Sequence, residues 1–150
     1  MIKVAGNWEW GWITPKEEVW QWNLLIRDFK ITEWYMWPIV DVINTEQKIN
    51  LHQRKTIEEI LEENKDLHHV YVEPERMIHP NKGINLKEFN HPKDALYIFG
   101  SANYSSIFGN KKDGDSMLFI ETLNNAGVLW PHQCLAIILY DRLLKGWEGK

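Results

Sequence analysis

The run Ala95-Leu96-Tyr97-Ile98-Phe99, closed by Gly100, constrains this chain more than any other segment. Consecutive apolar residues without alternation make a strand that must be covered on both faces, as in a parallel sheet lying between helices. Helix starts stand between the strand candidates. Thr14-Pro15-Lys16-Glu17 offers an N-cap threonine, a first-position proline and a third-position glutamate, so a helix is predicted to about Phe29. Its stripe is Val19, Trp22, Leu25, Ile26 and Phe29. Thr56-x-x-Glu59 is a second capping box, opening a short helix to about Asn64. Pro131 opens a last helix to about Lys145. Strands are predicted at Ile2–Ala5, Glu33–Val42 (with Pro38 as an early stop), Val70–Val72, Ala95–Phe99 and Ser116–Glu121. Thr45–Leu51 and Gly100–Asp115 read as loops, and 74–92 as loop with at most a short helix. The order β-α-β-α-β, then β, β, α, predicts one α/β domain over residues 1–150 with a mostly parallel sheet flanked by helices.

Composition narrows the function classes. The chain has 150 residues, 44% hydrophobic and 25% charged, which fits one soluble domain. A formal net charge of −4 leaves no broad basic footprint for DNA or RNA. Any RNA contact must use local groups such as Arg54-Lys55 or Lys111-Lys112, or stacking on a few of the nine tryptophans. Most of Trp8, Trp10, Trp12, Trp20, Trp22, Trp34 and Trp37 are expected in the core or an interface. The single cysteine, Cys134, excludes an internal disulfide and a cysteine-based zinc site, and fits a reducing, cytoplasmic compartment. His52, His68, His69, His79, His91 and His132 show no metal-ligand spacing, and no metal is expected. Glycine fingerprints of dinucleotide and phosphate loops are absent, as is a nucleophile elbow. No signal peptide is read, and the apolar run Cys134–Tyr140 is too short to span a membrane.

Ligands of parallel α/β sheets sit beyond the carboxyl ends of the strands, which directs attention to the loops after Phe99 and Glu121. Tyr97–Ser101, a strand running into Phe-Gly-Ser, and Ile137–Arg142, a helix ending in Tyr-Asp-Arg, resemble the C-terminal half of the SPOUT, or α/β-knot, RNA methyltransferases of SpoU/TrmH type. The resemblance implies a C-terminal trefoil knot, S-adenosylmethionine bound in that knot largely by backbone groups, and a homodimer with the last helix in its interface. It implies methylation of RNA, at a ribose 2′-hydroxyl of tRNA or rRNA. The implied cofactor contacts are Phe99, Gly100, Ser101, Ile120, Thr122, Leu123 and Leu129, with Asn7 and Asn103 as orienting groups at the reacting centre. Leu135, Ile138, Leu139 and Leu143 are the expected dimer contacts. Several family residues are replaced. The glutamate after Phe-Gly-x falls on Ala102, the Pro-Met pair on Glu121-Thr122, and the Ser-Leu-Asn-like stretch on Val128–Pro131. The N-terminal Asn-x-Gly-x-x-x-Arg is absent. Two other readings therefore stand beside an enzyme: a knotted dimer that binds cofactor or RNA without turnover, and a structural α/β interaction protein.

Overall fold

A computed structural model describes residues 1–9, 14–41, 49–74, 77, 83–101, 107–124 and 129–149. Its strands are β1 (Ile2–Asn7), β2 (Trp34–Trp37), β3 (Leu51–Gln53), β4 (His68–Val72), β5 (Ile84–Asn85), β6 (Ala95–Phe99) and β7 (Ser116–Phe119). Its α-helices are α1 (Pro15–Asp28), α2 (Ile57–Glu63) and α3 (Pro131–Leu144). The strands form one sheet in the order β3-β2-β1-β6-β4-β7-β5, and every pairing is parallel. β6 lies between β1 and β4, with Tyr97 opposite Val4 on one side and Val70 on the other.

The unbroken apolar run of β6 serves two cores, because successive side chains point to opposite faces. Ala95, Tyr97 and Phe99 join Val19, Trp22 and Ile26 of α1 and Leu135, Ile138 and Leu139 of α3. Leu96 and Ile98 join Ile57 and Ile60 of α2. Gly6 lets α1 approach, since a Cβ there would stand 2.8 Å from the Trp22 ring and 2.9 Å from the Met36 sulfur. The capping signals operate as read. Thr14 accepts from the Glu17 amide, and Thr56 and Glu59 cap each other reciprocally. At the start of α3 the Gln133 side chain accepts from the Trp130 amide at 2.8 Å.

Several expectations are corrected. β2 stops at Trp37, before Pro38. Leu51–Gln53, whose first residue was read as loop, is an edge strand beside β2. A two-residue strand and a short 3-10 helix, Leu86–Glu88, lie in the expected 74–92 loop. β7 ends at Phe119 rather than Glu121. Leu135, Ile138 and Leu139, expected to face a second copy, are completely buried in this chain's own core. Each contributes about 1.5–3 kcal/mol there. Leu143 is exposed, and so are Ile137, Tyr140 and Leu144.

A buried polar clasp holds α3 and the tail to the sheet. The fully buried Arg142 donates from Nε to the Trp147 carbonyl at 2.7 Å. Its Nη1 donates to the Pro92 carbonyl at 2.7 Å and the Tyr97 hydroxyl at 3.0 Å, and its Nη2 to the Lys93 carbonyl at 3.3 Å. Because the Tyr97 hydroxyl accepts from Arg142, its own proton goes to His91 Nδ1, 2.7 Å away. His91 Nε2 then donates to Asp141 at 2.8 Å. Asp141 also pairs with Lys145 at 2.8 Å. Burial lowers the His91 pKa; the Asp141 contact opposes this, and the charges of Arg142 and Lys145 add to it.

Two outcomes follow from this clasp. Arg142→Met leaves three carbonyls and a hydroxyl without their donor, and is expected to destabilise by about 3–5 kcal/mol, read from the urea midpoint. Arg142→Lys does not restore the wild-type midpoint, since one ammonium cannot match the guanidinium fork. For His91, the native state favours the neutral ring. Its contribution is complete above the ordinary value of 6.5 and is lost as pH falls through the lowered native value. His91→Gln should make that acid limb of the stability profile shallower.

Candidate functional site

All strands being parallel, the carboxyl ends of β1, β6 and β4 emerge on one edge of the sheet. A narrow cleft opens there, lined by Val72, Glu73, Pro74, Phe99, Gly100, Ser101, Leu129, Pro131 and Cys134. Of the sequence-predicted cofactor contacts, Phe99, Gly100, Ser101 and Leu129 come together in it. Ile120 packs against the core, Thr122 donates to the Asn124 carbonyl at 3.0 Å, and Leu123 is wholly exposed. Those three lie past the end of β7 and do not line the described cleft. Asn103 lies outside the described residues. Asn7 clasps β1 to β2. Oriented to satisfy its neighbours, its amide oxygen accepts from Trp37 Nε1 at 2.7 Å and its nitrogen donates to the Trp8 carbonyl at 3.1 Å.

Beside the cleft is a buried acidic cluster that the sequence did not reveal. Ser101 Oγ donates to Glu9 Oε2 at 2.9 Å. The Glu9 amide donates to both carboxyl oxygens of Glu18, at 3.0 and 2.9 Å, and Trp22 Nε1 reaches Glu18 at 3.4 Å. Glu18 projects from the first turn of α1 and is fully buried. Burial pushes its carboxyl up to about 7, against the lowering effect of the hydrogen bonds from Glu9 and Trp22. Glu73, at the end of β4, accepts from the Ile107 amide at 2.8 Å. Burial raises the Cys134 thiol to about 12, so it stays protonated and packs as an apolar group.

Gly100 sits where the backbone turns out of β6. A Cβ there would meet Ile107 at 3.1 Å and the Glu73 carboxyl at 3.4 Å, so glycine allows residue 107 to close against the strand end. On the rim, His132 follows Pro131 at the start of α3. Its ring packs edge-on against Trp130, with centroids 5.6 Å apart, and against Trp22 at 6.4 Å. Trp22 in turn touches Phe99 at 5.7 Å. His132 Nδ1 is buried without a hydrogen-bond partner, a condition that costs about 1–3 kcal/mol. The one sequence signal for this residue was a histidine next to Trp-Pro at a helix start.

Other candidates resolve into structure. Trp8, Trp22, Trp34 and Trp37 are buried, Trp20 is exposed, and Trp10 and Trp12 lie outside the described residues. Arg54 pairs with Glu63 at 2.8 Å, and Lys111 donates to the Lys112 carbonyl at 3.2 Å. His68 meets Ser116 at 2.8 Å and His69 the Asn64 carbonyl at 3.0 Å. Among the described residues no group of three or more His, Cys, Asp or Glu could hold a metal, and no helix is long and apolar enough to cross a membrane. A mixed-charge groove bordered by Glu58, Glu62, Lys65, His69 and Lys112 lies toward the amino ends of β4 and β7, away from the ligand edge of the sheet.

A protonated Glu18 has a spectroscopic consequence. The carboxylic C=O stretch of wild type should persist until about pH 7 and be missing from Glu18→Gln. The native state holds this proton more tightly than the unfolded chain. Glu18 therefore makes stability fall as pH rises from about 4.5 to about 7, a slope Glu18→Gln should remove.

No protein-family model matches the chain, and no curated protein matches it by sequence. Solved structures do match. The Aquifex-type "A. aeolicus" TrmH/SpoU tRNA modifying enzyme superposes with a TM-score of 0.69 at 15% identity, covering 98% of this chain and 78% of that one. The SpoU methyltransferase AviRb from Streptomyces viridochromogenes, in complex with AdoMet, gives 0.70 at 10% identity, covering 99% of this chain and 58% of that one. An AdoMet-bound rRNA methyltransferase from Sinorhizobium meliloti gives 0.67 at 8% identity, covering 95% and 56%. The chain thus spans little more than half the length of the two cofactor-bound proteins. With an all-parallel seven-stranded sheet between helices, this chain has the α/β fold of the TrmH/SpoU-type RNA methyltransferases.

Proposed function

We propose that this protein binds S-adenosylmethionine at the carboxyl edge of its sheet and transfers the methyl group to RNA, at a ribose 2′-hydroxyl of tRNA or rRNA. The observation that carries the proposal is the cleft at Gly100, formed where β4, β6 and the lead into α3 converge in this fold. The residues suit the cofactor. Val72, Phe99, Leu129 and Cys134 supply apolar walls for a purine, while Glu73 supplies an acidic group for a cationic one. When bound, the cofactor supplies an electrophilic methyl carbon on a sulfonium sulfur. The chain's part is to hold that carbon in line with the hydroxyl and to exclude water. In the proposal α3 belongs to a trefoil knot, and the protein acts in the cytoplasm on RNA.

The proposal includes a homodimer. Ile137, Tyr140 and Leu144 follow one another at helical spacing on the outer face of α3, and all are exposed. Trp20 and Leu24 are exposed on the neighbouring α1. A second copy covering these side chains would bury the apolar surface that α3 leaves in water.

A second reading, binding without turnover, is favoured by one observation. The first turn of α1 sends the protonatable Glu18 toward the site, where the family pattern calls for an arginine nearby in sequence. Calorimetry and methyl transfer separate the two. Wild type should give heat with S-adenosylhomocysteine at about 1 mM ligand, corresponding to about −4 kcal/mol or better. Gly100→Val, whose side chain must displace Ile107 or Glu73, should lose that heat while keeping its far-ultraviolet dichroism. Labelled methyl appearing in bulk RNA supports the enzyme; cofactor heat without it supports the binding protein. Sedimentation should show a dimer at micromolar concentration, and a monomer alone would contradict the proposed interface.

A further inference from the structure

We infer that His132 is the group that accepts the proton from the RNA hydroxyl during methyl transfer, an assignment that rests on the function proposed for the adjoining cleft. Pro131, the residue before it, lines that cleft, as do Leu129 and Cys134 on either side. The ring is therefore carried on the same turn of chain that forms one wall. Trp22 links it to the other wall through Phe99.

The remaining polar groups at this edge are engaged. Glu9 receives the Ser101 hydroxyl, Glu18 the Glu9 amide and the Trp22 indole, and Glu73 the Ile107 amide. Cys134 holds its proton. His68, His69 and His91 each have a hydrogen-bond partner elsewhere. His132 alone among these histidines is flanked by aromatic rings, with no hydrogen bond at Nδ1. Burial favours its neutral form, and no charged neighbour contributes. The acidic groups on the elements around it are Glu18 on α1, Glu9 after β1 and Glu73 after β4; α3 presents none in its first turn. A neutral imidazole is the species a general base must be.

With the ring proton held on the enclosed Nδ1, Nε2 presents its lone pair. His132 Nε2 takes the hydroxyl proton as the oxygen–methyl bond forms and the sulfur–methyl bond breaks with its electron pair left on sulfur. The imidazolium then returns the proton to water. Trp22 and Trp130 hold the ring plane through the exchange.

The test compares two ligands that differ by one charge. In ¹⁵N-labelled protein, with the His132→Gln variant assigning the signal, the His132 titration midpoint is measured with saturating S-adenosylmethionine and with saturating S-adenosylhomocysteine. A sulfonium about 6–8 Å away should place the midpoint about one pH unit lower with the former. Equal midpoints overturn the assignment. His132→Gln should also keep its S-adenosylmethionine Kd within about twofold while transfer to RNA falls about 10²–10⁴-fold. Retained transfer overturns the assignment as well. No calorimetric heat with either ligand in wild type removes the cofactor reading itself, and the role of His132 with it.

Discussion

The pairing of β6 between β1 and β4 is the constraint on which the rest of the structure depends. This strand is buried on both faces, so it joins two cores that would otherwise be separate. Its middle residue, Tyr97, supplies the hydroxyl through which Arg142 and His91 tie the last helix to the sheet. Its last residue, Phe99, supports Trp22, and the following Gly100 and Ser101 make the floor of the cleft. Core, clasp and candidate site are thus consecutive along one strand. A shift of one residue in its register would exchange its two faces and dismantle all three.

The electrostatics of the ligand edge are unusual for a protein that handles RNA. The described cleft is lined by an acidic side chain and no basic one, with Glu9 and Glu18 directly behind it. Such a site favours a ligand that brings positive charge and disfavours a phosphate. A sulfonium suits it. The phosphates of a nucleic acid must then be met away from the cleft floor. Burial of Glu18 eases the crowding of acidic groups by raising its pKa to about 7.

How much of this was legible in the sequence depended on whether the signal was local. The two capping threonines act locally, and both marked their helices correctly. The apolar run Ala95–Phe99 with its terminal glycine fixed the central strand to the residue, because no other element covers every position from both sides. Leu51–Gln53 was missed because three residues carry too little periodicity to distinguish a strand. The outer face of α3 was misassigned for a different reason. A helix apolar on nearly all sides does not say which stripe points inward, and the sheet selected Leu135, Ile138 and Leu139. The roles of Glu18 and His132 were invisible, since a buried carboxyl and an unpartnered ring nitrogen are properties of tertiary neighbours.

The central claim is that the carboxyl-edge cleft is a cofactor site, and the most direct measurement is a crystal structure of the protein grown with saturating S-adenosylhomocysteine. The account predicts the ligand in the cleft beside Gly100, with its purine against Phe99 or Leu129 and its amino acid end toward Glu73. A ligand seated instead in the groove beside α2, or a cleft left empty at saturation, would contradict it.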